Sequence, residues 1–260
     1  MNNVNKTLYI PLYGKSFVSK RGLFLEDKKA EEIWDAEGFK LRGKSASKWL
    51  AYYMGIRSAV FDEWVRYEIN KSPEAVVLHI GCGMDSRALR VDGGTLYWFD
   101  VDFPEVIAER RKYYTETPYY KMIPTDARKA EWIEEITQKN HAIIIMEGVS
   151  MYMAPDEIKS LFANLSCHFE HISLLVDCYS TMAARMSKYK NPINDVGVTR
   201  VYGTDDPIDF AKGNMTFVRE HDMTPERYIK ELSGMERRIF SRLYAGGFTK
   251  KLYRLYEYKK

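Results

Sequence analysis

The stretch that decides the fold is Ala75-Val76-Val77-Leu78-His79-Ile80-Gly81-Cys82-Gly83-Met84-Asp85-Ser86-Arg87. Its first six residues form a short, mostly apolar run, which is typical of a strand buried on both faces of a parallel sheet. Gly81 and Gly83 follow at once, and glycine lets a backbone turn tightly and approach a bound group closely. In open α/β sheets ligands bind beyond the carboxyl ends of the strands, so this loop is predicted to lie at a ligand site.

The rest of the chain alternates strand and helix patterns around this stretch. Further strands are predicted at Thr95–Asp102, His141–Glu147 and Ile172–Asp177, with weaker candidates at Met215–Val218 and Lys250–Tyr258. Helices are predicted at Glu26–Asp35, Ser47–Asn70, Pro104–Tyr114, Pro155–Phe169 and Pro225–Ala245, and a long loop at residues 191–207. Strands that alternate with helices indicate an α/β fold, with a parallel sheet and right-handed crossovers.

The glycine loop differs from a dinucleotide-binding fingerprint in two ways. Such a fingerprint has a third glycine, and here Ser86 takes its place. Asp85 would repel a pyrophosphate but would suit a ligand that carries a positive amino group and no phosphate. S-adenosylmethionine is a ligand of this kind, which makes Asp85 a candidate cofactor-site residue. Asp100 and Asp102 follow Gly81 by 19 and 21 residues, the spacing at which an acid accepts hydrogen bonds from ribose hydroxyls.

Four motifs in a fixed order make the chain recognisable. They resemble the motifs of the leucine carboxyl methyltransferase family, which includes bacterial O-methyltransferases of polyketide pathways. The four stretches are Gly81–Arg87, Phe99–Pro104, Asp126–Arg128 and Glu147–Met153. The resemblance implies a Rossmann-like, seven-stranded, mostly parallel sheet with flanking helices, an antiparallel last strand and a helical N-terminal cap. It also implies S-adenosylmethionine as the cofactor and methyl transfer to an oxygen as the reaction.

The resemblance assigns roles to the residues around the methionine part of the cofactor. Arg57 would hold the cofactor carboxylate, because its planar fork pairs well with carboxylates, and Lys15 would support the same end. Gly81 and Gly83 would let the methionine part lie against the loop. Glu147 would balance the sulfonium or the ammonium group, with capping of the next helix as the alternative.

The nucleoside part is assigned to the next two strand ends. Asp102 would accept hydrogen bonds from the ribose, with Asp100 as its rival, and Asp126 and the backbone of Ala127 would contact the adenine. The acceptor side is expected to include Tyr13, Tyr152 and Asn194, in an aromatic pocket to which Trp49 and the loop in the 190s also contribute.

Neither a catalytic base nor a metal is required by the expected chemistry. A carboxylate acceptor is already ionised at neutral pH, so proximity and orientation would supply much of the rate. A phenol or alcohol acceptor would benefit from a base. His79, His141 and His221 are the titratable candidates, but no catalytic residue is assigned, and the cysteine and histidine spacing does not fit a zinc site.

Composition limits the class of protein. The 260 residues are 45% hydrophobic and 29% charged, which is ordinary for a globular chain. A net charge of +3 is too small to indicate a nucleic-acid partner. Three cysteines without regular spacing argue for a reducing compartment. With neither a signal-peptide pattern nor a long apolar run, the expected location is the cytoplasm and no membrane association is expected.

The leading hypothesis is therefore an S-adenosylmethionine-dependent O-methyltransferase that acts on a carboxylate or hydroxyl of a small molecule, with polyketide-like molecules among the acceptors considered. The alternatives are a catalytically degenerate binding module, a methyltransferase for a protein C-terminal carboxylate and an NAD-dependent oxidoreductase. One methyltransferase domain is expected over residues 1–260, with a helical cap at 1–70, a cofactor-binding half at 71–177 and an acceptor-side half at 178–260. The acceptor and the oligomeric state do not follow from the sequence.

Overall fold

A computed structural model describes residues 8–38, 41, 43–91, 94–190, 201–211 and 215–260. One seven-stranded sheet runs through the described chain in the order β3-β2-β1-β4-β5-β7-β6. Its strands are β1 (Val76–Ile80), β2 (Trp98–Asp102), β3 (Tyr120–Pro124), β4 (His141–Met146), β5 (His171–Tyr179), β6 (Thr216–His221) and β7 (Tyr253–Lys259). The first five strands pair in parallel, whereas β7 is antiparallel to β5 and β6 is antiparallel to β7. The predicted Rossmann-like fold with an antiparallel last strand is confirmed.

Helices cover both faces of the sheet, and three of them precede its first strand in the chain. They are α1 (Tyr9–Ser19), α2 (Lys28–Glu37), α3 (Lys48–Lys71), α4 (Arg87–Val91), α5 (Pro104–Arg110), α6 (Pro155–His168), α7 (Thr181–Lys190), α8 (Ile208–Ala211), α9 (Glu226–Ile229), α10 (Gly234–Leu243) and α11 (Gly247–Lys250). Helices α1 to α3 provide the helical N-terminal segment that the sequence predicts. Of the helices in the described ranges, none combines the length and apolar character needed to cross a bilayer.

Alternation along β1 explains how one strand serves two cores. Val76, Leu78 and Ile80 point to one face, where they belong to the same apolar cluster as α6. Val77 points to the other face and joins the cluster that contains α3. Side chains alternate between the faces of a strand, and a strand covered on both sides is therefore apolar throughout. Full burial of each large aliphatic side chain contributes roughly 1.5–3 kcal/mol.

Two parts of the fold differ from the sequence expectation. The patterns do not predict β3, which lies at the edge of the sheet, mixes exposed and buried positions and ends in Pro124; edge strands tolerate proline and need no continuous apolar run. The single helix expected at Pro225–Ala245 is wrong. The chain instead forms α9 and α10, because Ser233 takes an extended conformation and starts a new helix at Gly234.

Candidate active site

A cavity of about 680 Å³ opens at the carboxyl ends of the parallel strands. The loops after β1, β3 and β4 and the ends of β2 and β5 contribute to its wall, and the inner faces of α1 and α3 complete it. The antiparallel strand β7 begins at the same edge, where Tyr253 pairs with Tyr179 of β5. Six strands or the loops that follow them, together with the cap helices α1 and α3 and with α7, therefore deliver residues to one space, at the position where open α/β sheets bind ligands.

The loop after β1 forms a tight turn on the cavity wall. Gly81 has a φ of +70° and Gly83 a φ of +52°, both in the left-handed region that side chains rarely adopt. A Cβ atom on Gly81 would lie 2.7 Å from a methyl group of Val149, whereas one on Gly83 would lie 3.5 Å from Leu8. Gly81 is therefore required both by its backbone conformation and by the loop after β4.

Asp100 and Asp102, the rival acids of β2, have different environments. Asp100 is fully buried, forms an ion pair with Arg110 and accepts hydrogen bonds from Trp98 Nε1 (2.9 Å) and the Tyr120 hydroxyl (2.5 Å). Asp102 lines the cavity and accepts the backbone N–H groups of Gly83 and Phe103, both at 2.8 Å.

The two acids also differ in pKa. Burial raises the pKa of Asp102 to about 6, and the backbone donors only partly offset this effect. The pKa of Asp100 is lowered, because Arg110 and the hydrogen bonds outweigh the opposite effect of burial. Asp100 is thus committed to the protein, whereas the carboxylate of Asp102 faces the cavity.

The loop after β3 places Asp126, Ala127 and Arg128 on the wall. The guanidinium of Arg128 holds the carboxylate of Asp126 through Nε at 2.8 Å and also reaches Glu157 at 3.1 Å. The carbonyl of Ala127 accepts a hydrogen bond from Trp132 Nε1. These contacts hold the loop against the sheet edge beside Asp102.

Arg57 reaches the cavity from α3 and is 4% exposed. Its Nε donates to Glu147 at 3.0 Å, and its Nη1 donates to the hydroxyl of Tyr253 at 2.6 Å and lies 3.3 Å from Asp177. Within the described residues, its Nη2 has no hydrogen-bond partner, and it is not one of the polar atoms sealed away from solvent. Two of the three guanidinium nitrogens therefore hold the protein together, and one is available to a ligand.

Glu147 accepts from Arg57 on one oxygen and from Arg87 on the other, the latter at 2.5 Å. Arg87 and Arg57 lower the pKa of Glu147 to about 2, although burial alone would raise it. The carboxylate is therefore ionised at neutral pH and is positioned from both sides.

Lys15 and Asp85 form a second buried ion pair on the wall, with 3.0 Å between Nζ and Oδ2. Asp85 also meets Arg90 at 2.6 Å and Arg87 at 3.4 Å. These three cations hold the pKa of Asp85 well below its ordinary value despite its burial. Arg87 links this pair to Glu147, so the acids and bases at this end of the cavity form one network.

Comparison of the sequence with models of known protein families identifies one family. The model of the leucine carboxyl methyltransferase family matches residues 3–166, which is more than half of the chain. The chain belongs to the leucine carboxyl methyltransferase family.

Two curated relatives and one solved structure accompany the family match. The tetracenomycin polyketide synthesis O-methyltransferase TcmP of Streptomyces glaucescens is 25% identical over 242 residues, covering 91% of this chain and 89% of the relative. The S-adenosyl-L-methionine-dependent methyltransferase dpfgK of Gibberella zeae is 25% identical over 179 residues, covering 63% and 60%. The magnesium protoporphyrin IX methyltransferase of Synechocystis PCC 6803, solved with bound SAH, superposes with a TM-score of 0.51 at 12% identity and covers 88% of this chain and 93% of that one. The last likeness shows the fold alone.

In this member of the leucine carboxyl methyltransferase family, only some of the residues expected on the acceptor side line the cavity. Tyr152 lines the cavity. Tyr13 does not: its ring packs against Trp34 and its hydroxyl donates to the carbonyl of Ala46 (3.2 Å), because it lies on the face of α1 that turns away from the cavity. Trp49 is also absent from the lining and stacks on Tyr244. The expectation of an aromatic wall built on these two residues therefore needs correction. Asn194 and the rest of residues 191–200, which hold the loop in the 190s, lie outside the described residues.

Three further residues at or beside the cavity were not predicted from the sequence, namely Asp177, Tyr253 and Tyr53. Asp177, at the end of β5, accepts the hydroxyl of Tyr253 at 2.5 Å and the backbone N–H of Gly148 at 2.7 Å. Burial raises its pKa to about 6. Tyr253 bridges Asp177 to Arg57, and Tyr53 stacks on Tyr253 with 6.1 Å between the ring centroids. For Tyr53 a sequence signal exists, since it lies four residues before Arg57 and on the same face of α3.

Proposed function

We propose that the chain is an S-adenosylmethionine-dependent O-methyltransferase that acts on a small molecule. One observation carries the proposal: the order of groups along the sheet edge matches the order of parts in the cofactor. The strand order β3-β2-β1-β4 places Asp126, Asp102, the glycine loop and Glu147 in sequence along the cavity. The parts of S-adenosylmethionine follow one another in a matching order: adenine, ribose, the sulfonium that carries the transferable methyl group, and the amino-acid end of the methionine.

The nucleoside end fits the groups on β2 and β3. Asp102 would accept hydrogen bonds from the ribose hydroxyls, in preference to Asp100, because Asp102 lines the cavity and each of its oxygens accepts only one backbone N–H, whereas Asp100 is fully buried and paired with Arg110. Asp126 and the backbone of Ala127 would contact the adenine. This end presents no phosphate-binding cation of its own beyond Arg128 in the described part of the cavity wall, and Arg128 is paired with Asp126.

The amino-acid end would lie against the ionic network. Arg57 would bind the cofactor carboxylate through Nη2, and Glu147 would face the ammonium or the sulfonium group. Lys15 supports the same end. Asp85 is surrounded by three cations, so we assign it to the positioning of Lys15 rather than to direct contact with the ligand. Gly81 and Gly83 would leave room for the methionine chain.

When bound, S-adenosylmethionine would supply a methyl group on a positively charged sulfur: the acceptor oxygen would bond to the methyl carbon, and the electron pair of the broken C–S bond would go to sulfur. The chain's residues would hold the two reactants in line, where proximity and orientation account for much of the rate. Part of the cavity lining is apolar and includes Leu50, Met54, Met151 and Leu252. Tyr152 would line the acceptor space with them.

Residues 1–70 would serve as the cap, residues 71–177 as the cofactor-binding half and residues 178–260 as the acceptor-side half of one methyltransferase domain. The cap supplies Lys15 and Arg57, and the last part supplies Tyr253. We further propose a cytoplasmic location, which is supported by three cysteines that are all unpaired. We also propose a small-molecule acceptor rather than a nucleic acid.

The test is calorimetric titration of the purified chain with S-adenosylhomocysteine, with NADH as the control ligand. We expect micromolar binding of S-adenosylhomocysteine alone. Binding of NADH, or of neither ligand, would overturn the proposal.

Turnover is tested with S-adenosylmethionine labelled in its methyl group and a panel of aromatic carboxylic acids and phenols. We expect label in an extractable product, and its lability to base distinguishes a methyl ester from an ether. Label that remains in a protein acceptor would favour the protein carboxyl methyltransferase. Cofactor binding without any transfer would favour the degenerate binding module.

A further inference from the structure

Tyr53 has an unusual place in the cavity. It lies on α3 one helical turn before Arg57 and contributes to the lining, yet it is only 7% exposed. Residues four apart on a helix share a face, so Tyr53 and Arg57 enter the same space from the same support. Neither the motifs nor the roles proposed above use Tyr53.

The ring of Tyr53 is fixed by its neighbours. It stacks on Tyr253 at an interplanar angle of 25°, and Tyr179 packs edge-on against Tyr253 at 4.9 Å between centroids. The hydroxyl of Tyr253 is itself held between Arg57 and Asp177. Aromatic pairs prefer particular relative ring geometries, so these neighbours fix the orientation of Tyr53.

The hydroxyl of Tyr53, by contrast, is unused. Within the described residues it has no hydrogen-bond partner, and it is not among the polar atoms that the protein seals away from solvent, so it opens on accessible space. A nearly buried hydroxyl without a partner is unfavourable, and most such groups in proteins are hydrogen-bonded. A ligand in the cavity is therefore in a position to accept its hydrogen bond.

The chemistry of the group determines which partner that is. Burial raises the pKa of Tyr53 above its ordinary value, so the hydroxyl stays protonated and donates. The histidine of the described lining is not available as a base, since His79 is 1% exposed, lies between Asp100 and Arg87, and has a lowered pKa because of its burial. The Cys82 thiol has a raised pKa for the same reason. Asp102 is assigned to the ribose and Glu147 is held between two arginines, so the acceptor side presents a donor and suits an acceptor oxygen that arrives already deprotonated.

We propose that the Tyr53 hydroxyl donates a hydrogen bond to the reacting oxygen of the acceptor, and that this oxygen is an anion, a carboxylate or an acidic phenolate, on a flat apolar molecule. The inference rests on the proposed function. The oxygen uses a lone pair to bond the methyl carbon and the C–S pair goes to sulfur, so no proton has to be removed. Tyr53 is thus an acceptor-binding residue, and methionine and tyrosine side chains such as Met54, Met186 and Tyr152 form the apolar surroundings.

The experiment compares Tyr53→Phe with the wild type and with Tyr52→Phe. Tyr52 is the adjacent tyrosine, but its hydroxyl donates to Glu236 and it does not line the cavity. Each protein is saturated with S-adenosylhomocysteine and titrated at about pH 8 with 2-naphthoate, 4-nitrophenolate and the neutral 2-naphthamide. Thermal melting verifies that each variant is folded.

We expect wild type and Tyr52→Phe to bind at least one anion more tightly than the amide. Tyr53→Phe should bind that anion about 10- to 100-fold more weakly, which is the usual effect of losing a hydrogen bond to a charged group, with unchanged affinity for S-adenosylhomocysteine. Preference for naphthoate or for nitrophenolate identifies which anion the site takes. Equal binding of anions and amide, no effect of Tyr53→Phe, or no probe binding to the loaded wild type would overturn the inference. Failure of the wild type to bind S-adenosylhomocysteine would instead overturn the proposed function.

Discussion

Replacing Asp102 with asparagine should weaken the binding of S-adenosylhomocysteine and leave the stability of the fold nearly unchanged. Each carboxylate oxygen of Asp102 accepts a backbone N–H at 2.8 Å, from Gly83 and from Phe103. An asparagine keeps one acceptor but turns an NH₂ group toward a donor, and it loses the charge that would strengthen the bonds to ribose. A hydrogen bond to a charged group contributes roughly 1.5–3 kcal/mol, so the Kd for S-adenosylhomocysteine should rise about 10- to 100-fold.

Stability should change little in the same variant. The pKa of Asp102 is raised to about 6 in the folded chain, above the value of about 4 for an exposed aspartate. The ionised form therefore destabilises the fold at neutral pH, and the neutral amide removes that cost while losing one backbone bond. Calorimetry gives the affinity and a thermal melt without ligand gives the stability, with Asp222→Asn as a surface control whose carboxylate binds Lys250. Unchanged affinity in a folded Asp102→Asn variant would refute the assignment of the ribose to this carboxylate.

Three further predictions concern pH, the buried network and the glycine loop. The affinity for S-adenosylhomocysteine should be constant above about pH 7 and fall as the pH drops through 6, where Asp102 takes up a proton; titrations at several pH values should find this dependence lost in Asp102→Asn. Glu147→Gln should lower the free energy of unfolding by about 3–5 kcal/mol, because it leaves two buried arginines without their shared carboxylate, and denaturant melts measure the loss. Gly81→Ala should destabilise more than Gly83→Ala in the same melts, since both have positive φ but only the first places a Cβ against Val149; equal losses would contradict the packing argument.

Local patterns accounted for the central part of the fold. The apolar run of β1 and the acid-ended strand β2 carry signals that depend on a few neighbouring residues, and both form where they are predicted. The strand ends also located Asp102 and Glu147, because parallel strands bring their carboxyl ends to one edge. The weak edge strand β3 was missed for the opposite reason, since its stability comes from pairing with β2 rather than from its own pattern.

The network around the site could not be read from the sequence in the same way. Asp177 and Tyr253 are 76 residues apart and meet only because β7 turns back antiparallel beside β5. The orientation of Tyr13 is equally a tertiary property, since it depends on which face of α1 packs against α3. Helical periodicity gives the spacing of side chains but not the direction in which the helix faces.

A crystal structure of the chain with S-adenosylhomocysteine is the most direct test of the central claim. We predict the adenine at Asp126 and Ala127, the ribose hydroxyls on Asp102, the carboxylate on Nη2 of Arg57, and the sulfur directed toward the space beside Tyr53. A ligand bound outside this cavity, or one that runs along the sheet edge in the reverse direction, would contradict the proposed match between strand order and cofactor.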